Sequence, residues 1–364
     1  MDAKKALPAG KLPVALLRRL LAQYATNSGA GLQDQRVVVG AGIGLDASVI
    51  DLGTHYLVAK TDPITFSAED CGSYALTINA NDLATMGAVP RWFLVTLLMP
   101  VGASTPRSVS RIFSQLRANC RRFGVALCGG HSEITDAVSR PVIIGCLLGE
   151  CRKSHLVTSK GARVGDAILL TKGIPIEAVS VLARERPDDL RRRYSSGFVN
   201  RCRRYISNPG ISIVRDANLA RAAGGVHAMH DPTEGGLSTA LYELAEAANV
   251  GVHVEECQVR ILPEGAQLCA DFELNPWGAI ASGALLICAD PRRERTILQR
   301  LHHAGIAAFR IGTVVPLREG VRMMTRKGHL RRIPRFAVDE IARLLSAGKM
   351  SRRSANSRIP NCFT

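Results

Sequence analysis

Aromatic residues are scarce in this chain, at 5% of 364 positions with two tryptophans. A surface that stacks successive bases on aromatic rings is therefore not expected. No apolar run approaches the roughly 20 residues of a membrane-spanning helix. The opening Met1-Asp-Ala-Lys-Lys5 has no apolar core of a signal peptide. A cytoplasmic protein without membrane partners is the expectation. The ten cysteines form no C-x-x-C pair, and Cys120, Cys128, Cys146 and Cys288 lie in apolar segments. A disulfide framework or zinc site is not expected from that spacing. No G-x-x-x-x-G-K-[ST] loop occurs, and H-R-D and D-F-G are absent, which excludes a P-loop enzyme and a protein kinase. Acidic residues are outnumbered, 31 against 47 Lys plus Arg, for a net charge of +16. The surplus gathers after Arg318 and no nucleic-acid-binding motif accompanies it, so it reads as a solvated basic tail and nucleic acid is not an expected partner.

What is present is 46% hydrophobic residues, rich in Val, Ile, Leu and Ala, as in an α/β protein. The length calls for two domains. Leucines at helical spacing predict a helix over about 12–26, followed by a linker. Strands are expected at Val37–Val39, Val49–Ile50, Tyr56–Thr61 and Trp92–Met99, the last buried on both faces. A helix from Pro106 to Phe123 carries Val109, Ile112, Phe113, Leu116 and Cys120 on one stripe, ends at Gly124, and leads to a strand at Val125–Cys128. Composition turns polar and basic between Cys151 and Gly165. The resulting division is an N-terminal helix and linker (1–35), a first domain (36–155), a second (156–335) and a basic tail (336–364) that is partly disordered. Further helices are expected at Glu177–Arg184, Ser212–Ala223 and from Pro232, with strands at Val252–Glu255, Ala284–Cys288 and Arg310–Val315.

The chemistry is organised around Leu76-Thr-Ile-Asn79-Ala-Asn81-Asp82-Leu-Ala-Thr-Met86-Gly87. Leu76, Ala80, Leu83 and Met86 fit one side of a helix that Gly87 ends, and Asn79 and Asp82 share a face. A carboxylate among such apolar neighbours needs an arginine or a bound cation. Other lone acids favour the cation. Asp46 follows the glycines Gly40, Gly42 and Gly44, whose context is not that of a dinucleotide loop and whose role is a tight bend or close approach to a phosphate. Asp62 ends a strand. Gly129-Gly130-His131-Ser132-Glu133 reads as a turn at a strand end, suited to an anionic ligand. Asp231 ends a strand, and Asp-x-x-Glu234 before an apolar helix also reads as a cap. Magnesium takes oxygen ligands from carboxylates and phosphates, so these acids point to Mg-nucleotide.

In order, Gly42-Ile-Gly-Leu-Asp46-Ala-Ser, Thr61-Asp62, Asn79-Ala-Asn-Asp82-Leu-Ala-Thr-Met-Gly-Ala-Val-Pro90, Gly129-Gly-His-Ser-Glu133 and Asp231-Pro-Thr-Glu-Gly-Gly-Leu237 resemble the aminoimidazole ribonucleotide (AIR) synthase superfamily, and within it the HypE-like hydrogenase-maturation group. The resemblance implies a two-domain α/β (α+β) PurM-like fold whose first domain binds ATP and forms a homodimer through its sheet. It implies ATP-driven activation of an amide or carbonyl oxygen on a small-molecule or protein-thiol-bound substrate. Asp46, Asp82 and Asp231 fall on Mg²⁺-phosphate positions. Gly42, Gly44, Asp62, Asn79, Asn81, Gly129, Gly130, His131 and Glu133 fall on nucleotide-contacting ones, and Asp82 and His131 carry the catalytic role. Three departures stand out. Leu45 replaces the first acid of a usual Asp-Asp pair. No cysteine precedes Cys71, unlike selenophosphate synthetase. Cys362 is not terminal, unlike the carbamoyl-accepting cysteine of HypE. Thiamine-monophosphate kinase-like transfer and a non-catalytic nucleotide-binding partner are the alternatives.

Overall fold

The structure, a computed structural model, describes residues 7, 10–24, 34–65 and 70–346. Helix α1 (Val14–Tyr24) precedes a first sheet built from β1 (Val37–Val39), β2 (Ser48–Asp51), β3 (Tyr56–Ile64), β4 (Val89–Pro100), β5 (Ala126–Thr135) and β6 (Val142–Cys151). Between these strands lie α2 (Cys71–Thr85) and α3 (Pro106–Phe123). The strand order is β1-β2-β3-β6-β4-β5, with β4 and β5 parallel and the other pairs antiparallel. The second half runs β7 (Ala167–Thr171), α4 (Ile176–Glu185), α5 (Pro187–Arg193), α6 (Ser196–Arg204), α7 (Val214–Ala223), β8 (Val226–His230), α8 (Gly236–Ala248), β9 (Gly251–Glu255), α9 (Pro263–Asp271), β10 (Leu286–Ala289), α10 (Pro291–His303), β11 (Ala308–Val315), β12 (Val321–Met324) and β13 (Leu330–Arg332). Its sheet order is β13-β12-β9-β11-β7-β10-β8.

Helix α3 follows its sequence closely. Thr105 and Ser108 form a reciprocal capping box, Pro106 opens the helix, and left-handed Gly124 closes it. Ile112, Leu116 and Cys120 are buried, but Phe113 lies off the stripe at 40% exposure. Helix α2 differs from the one-sided expectation, because every residue except Ser73 is buried. One side packs on β3, β4 and β6, and the other meets α7 and β8 of the second half. A helix enclosed by two bodies buries its polar positions too, which is why Asn79, Asn81, Asp82 and Thr85 are all inside. Gly87, at φ +76°, ends it as expected. The core around α2 is continuous across the halves, from Leu83 and Phe93 to Val179 and Leu182 of α4.

Strand β4 alternates rather than being buried on both faces. Phe93, Val95 and Leu97 face α2 and are buried, whereas Leu94, Thr96 and Leu98 are half-buried on the outer face. Residues 187–193 and 196–204 form α5 and α6. The beginning of the basic tail is docked. Asp339 accepts the Gly235 N–H at 2.8 Å, and residues 340–346 are helical. Residues 347–364, with Cys362, and the end of the expected first helix at 25–26 lie outside the described residues. Among the described residues, no helix is long and apolar enough to cross a membrane.

Candidate functional site

Strand alternation puts Lys60 and Asp62 on one face of β3, the face on which α2 lies. Lys60 Nζ stands 3.1 Å from Asp82 of α2 and 3.7 Å from Asp62. The partner of Asp82 is thus a lysine of the neighbouring strand, neither of the two partners expected. Asp62 does not end its strand, since β3 continues through Pro63 to Ile64 opposite β6.

The loop carrying Asp46 rests on α8. Gly44 has φ +70°, and a Cβ there would stand 2.5 Å from the Glu243 carbonyl oxygen. Only glycine lets the loop approach α8 this closely. Gly42 is likewise crowded by Leu45, which would lie 2.6 Å from an added Cβ. The approach delivers Asp46 to the end of β8. Its Oδ1 is 2.8 Å from His230 Nδ1, and the Thr85 hydroxyl of α2 donates to its Oδ2 at 2.9 Å. His230 Nε2 in turn meets Glu243 of α8 at 3.0 Å, and Lys11 Nζ meets Glu243 at 3.3 Å.

Asp231, the next residue, is 1% exposed, and neither carboxylate oxygen has a hydrogen-bond partner. The capping role fails: α8 begins at Gly236 after left-handed Gly235, with no side-chain cap. Asp46, His230 and Asp231 bring ligand atoms within 4.8 Å of one another. Burial, then the charge of Asp46, pushes Asp231 up to about 7. Burial also raises Asp82 well above the carboxylate range; Lys60 opposes this, while Asp231, Asp46 and Asp62 add to it. For His230, burial alone would lower the imidazole, but Asp46 and Glu243 reverse this and hold it well above its usual value. Glu243, despite burial, is held at about 2 by Lys11 and His230. The site thus gathers Asp46, Asp82, Asp231 and Glu243 around Lys60, Lys11 and His230.

Several residues expected at nucleotide-contacting positions have partners within the protein. Asn81 uses both ends on backbone of the second half, donating to Ile211 O at 2.8 Å and accepting from Ile213 N–H at 2.9 Å. It pins the halves together. Asn79 shares a face with Asp82 but is fully buried, donates to Ala75 O at 2.8 Å, and lies against Gly145 of β6. Gly129, Gly130, His131 and Glu133 form no turn. They continue β5, parallel to β4, with a register shift at Phe93/Leu94. Gly130 is required because a Cβ would meet Val95 O at 1.9 Å. His131 and Glu133 are exposed on this outer strand and meet each other at 3.5 Å; no contact joins them to the acids. Lys60, His230, Glu243, Thr85 and Lys11 went unread in the sequence. Period-two spacing before Asp62 was the available signal for Lys60, and adjacency to Asp231 was that for His230.

Two sheets sharing a buried helix, with acids and an imidazole where the halves meet, define a two-half α/β protein with a candidate cation site. The chain belongs to the AIR synthase related protein family: the N-terminal domain matches residues 44–151 and the C-terminal domain residues 163–324. It is 27% identical to a putative hydrogenase expression/formation protein of Methanocaldococcus jannaschii over 79% of this chain and 85% of that one. It is also 27% identical to the carbamoyl dehydratase HypE of Cupriavidus necator, covering 78% of each. A crystal structure of the hydrogenase maturation protein HypE in complex with ATP superposes with a TM-score of 0.67 at 22% identity, covering 92% of this chain and 98% of that one. The two-domain PurM-like fold is thereby shared.

Proposed function

We propose that this chain is a HypE-like enzyme that binds Mg-ATP where its halves meet and activates an amide or carbonyl oxygen by phosphoryl transfer. The observation that carries this reading is Asp231, whose two oxygens are buried and unpartnered beside Asp46. Buried carboxylates without partners are costly, and a dication bound to phosphate is the ligand class that answers them. The cation, when bound, supplies charge neutralisation and alignment of the phosphates. Asp46 and Asp231 would hold it, with Thr85 fixing the direction of Asp46. Asp82 faces the same charge cluster and holds Lys60 in place as a further positive group. His131 and Glu133 on β5 are available to a second copy that covers the outer face of the first sheet, where Leu94, Thr96 and Leu98 are half-buried; this supports the homodimer reading. The substrate is a small molecule or a group on a protein thiol, the class that the resemblance to the HypE-like group implies.

The second reading, a nucleotide-binding partner protein without turnover, is favoured by Leu45, which packs on the core where an acidic ligand is usual in the family pattern. Calorimetric titration with Mg-ATP and phosphate release with carbamoyl and amide donors separate the two. The enzyme reading expects release that Asp231→Asn abolishes. Binding without release under every donor supports the partner protein, and absence of Mg-ATP binding overturns both.

A further inference from the structure

The cation site differs from a set of carboxylates in one respect. His230 ends β8 immediately before Asp231, is 4% exposed, and points Nδ1 at the Asp46 carboxylate from 2.8 Å. That nitrogen has no aligned hydrogen-bond partner, although it is buried. The other nitrogen, Nε2, lies 3.0 Å from Glu243 Oε2. Glu243 is fixed in turn by Lys11. Thr85 occupies the far oxygen of Asp46 and leaves Oδ1 toward the imidazole. An imidazole that gives one N–H to a carboxylate and turns its second nitrogen toward another, beside a third in Asp231, has the outer arrangement of a metal-ligating histidine.

We propose that His230, oriented by Glu243, is a nitrogen ligand of the cation, and that the site prefers a first-row transition dication to Mg²⁺. The inference rests on the cation site proposed above and adds to it a ligand and a selectivity. Imidazole nitrogen suits transition ions, whereas magnesium takes oxygen and keeps its waters. The donor set comes from Asp46, His230 and Asp231, whose ligand atoms lie within 4.8 Å of one another, with Asp46 Oδ1 2.8 Å from His230 Nδ1. When the ion binds, a bond forms from Nδ1 to the metal and any proton on that nitrogen leaves to solvent. Glu243 keeps the Nε2 proton, so its role is positioning rather than ligation.

The test uses the full chain without nucleotide and Mn²⁺ as the probe. Electron spin-echo envelope modulation of bound Mn²⁺ is expected to show a directly coordinated ¹⁴N, which shifts to a ¹⁵N pattern when the protein carries ¹⁵N-histidine. Competition titration is expected to favour Mn²⁺ over Mg²⁺, and His230→Asn to reduce that ratio by about tenfold or more. Glu243→Ala is expected to weaken Mn²⁺ binding about 10- to 100-fold while the nitrogen coupling persists at saturating metal. Bound Mn²⁺ that Asp231→Asn displaces but that shows no nitrogen coupling overturns the inference and leaves the function proposed above intact. A chain that binds neither ion overturns both. The wild-type spectrum decides the matter even if a variant does not fold.

Discussion

Replacing Asp231 with asparagine removes a charge that the fold resists, and the metal-free protein should become more stable at alkaline pH. The carboxyl has an ordinary value of 3.8 in the unfolded chain and is pushed up to about 7 in the fold. An acid whose folded value is raised binds its proton more tightly in the native state. Stability is therefore lost as pH rises from about 4 through about 7, and the loss levels off above that. Three pH decades at about 1.4 kcal/mol each give a penalty of ~4 kcal/mol on the alkaline side. The amide is neutral but brings its own unmet hydrogen bonds in a buried place, a cost of ~1–2 kcal/mol. The net gain for the variant is then ~2–3 kcal/mol at about pH 8.5 and near zero at about pH 5. An unfolding entropy of ~0.8 kcal/mol/K for a chain this long converts that gain to a Tm rise of ~3–4 °C. Differential scanning calorimetry in chelator at the two pH values measures it. A variant no more stable than wild type at the alkaline pH, or one with equal gain at both, refutes the reasoning. Mn²⁺ or Mg²⁺ should raise the Tm of the wild type and leave that of the variant unmoved.

Lys60→Met strips Asp82 of its ion-pair partner inside the fold and should cost ~3–5 kcal/mol, read from urea unfolding; a change under ~0.5 kcal/mol would show that the pair is idle. Asn81→Ala orphans the Ile211 carbonyl and the Ile213 N–H between the halves, for a loss of ~2–4 kcal/mol, and hydrogen exchange should speed most at the Ile213 amide. Gly44→Ala forces the loop away from α8, so divalent-ion affinity should fall about tenfold or more as Asp46 retreats from His230; titration calorimetry that finds wild-type affinity would place the site elsewhere.

Local chemistry was legible along the chain, and tertiary company was not. The capping box at Thr105 and Gly124 bounds α3 without help from the rest of the molecule, so its ends were readable. Asp46 and Asp231 were readable as lone acids at the ends of apolar stretches, and they do meet. Helix α2 misled because an apolar stripe implies one buried side, while two bodies enclose this helix. The double glycine before His131 misled for a related reason. Glycines signal turns when nothing approaches them, yet Gly130 is there because the backbone of Val95 lies against it. Lys60 and His230 were missed because each matters through a partner distant in sequence: Asp82 across the strand-to-helix contact, and Asp46 on a loop of the other half.

Because α2 belongs to both halves at once, the molecule has no seam along which it can be cut. The N-terminal half expressed alone would present Asn81 and the far side of α2 to solvent with nothing to receive them. The C-terminal half alone would lack the wall that Ile211 and Ile213 lean on. Swinging the two sheets apart would strip α2 of its contacts with α7 and β8. The segment around Lys11 and the segment around Asp339 instead converge on the turn that leads into α8, at Glu234 and Gly235.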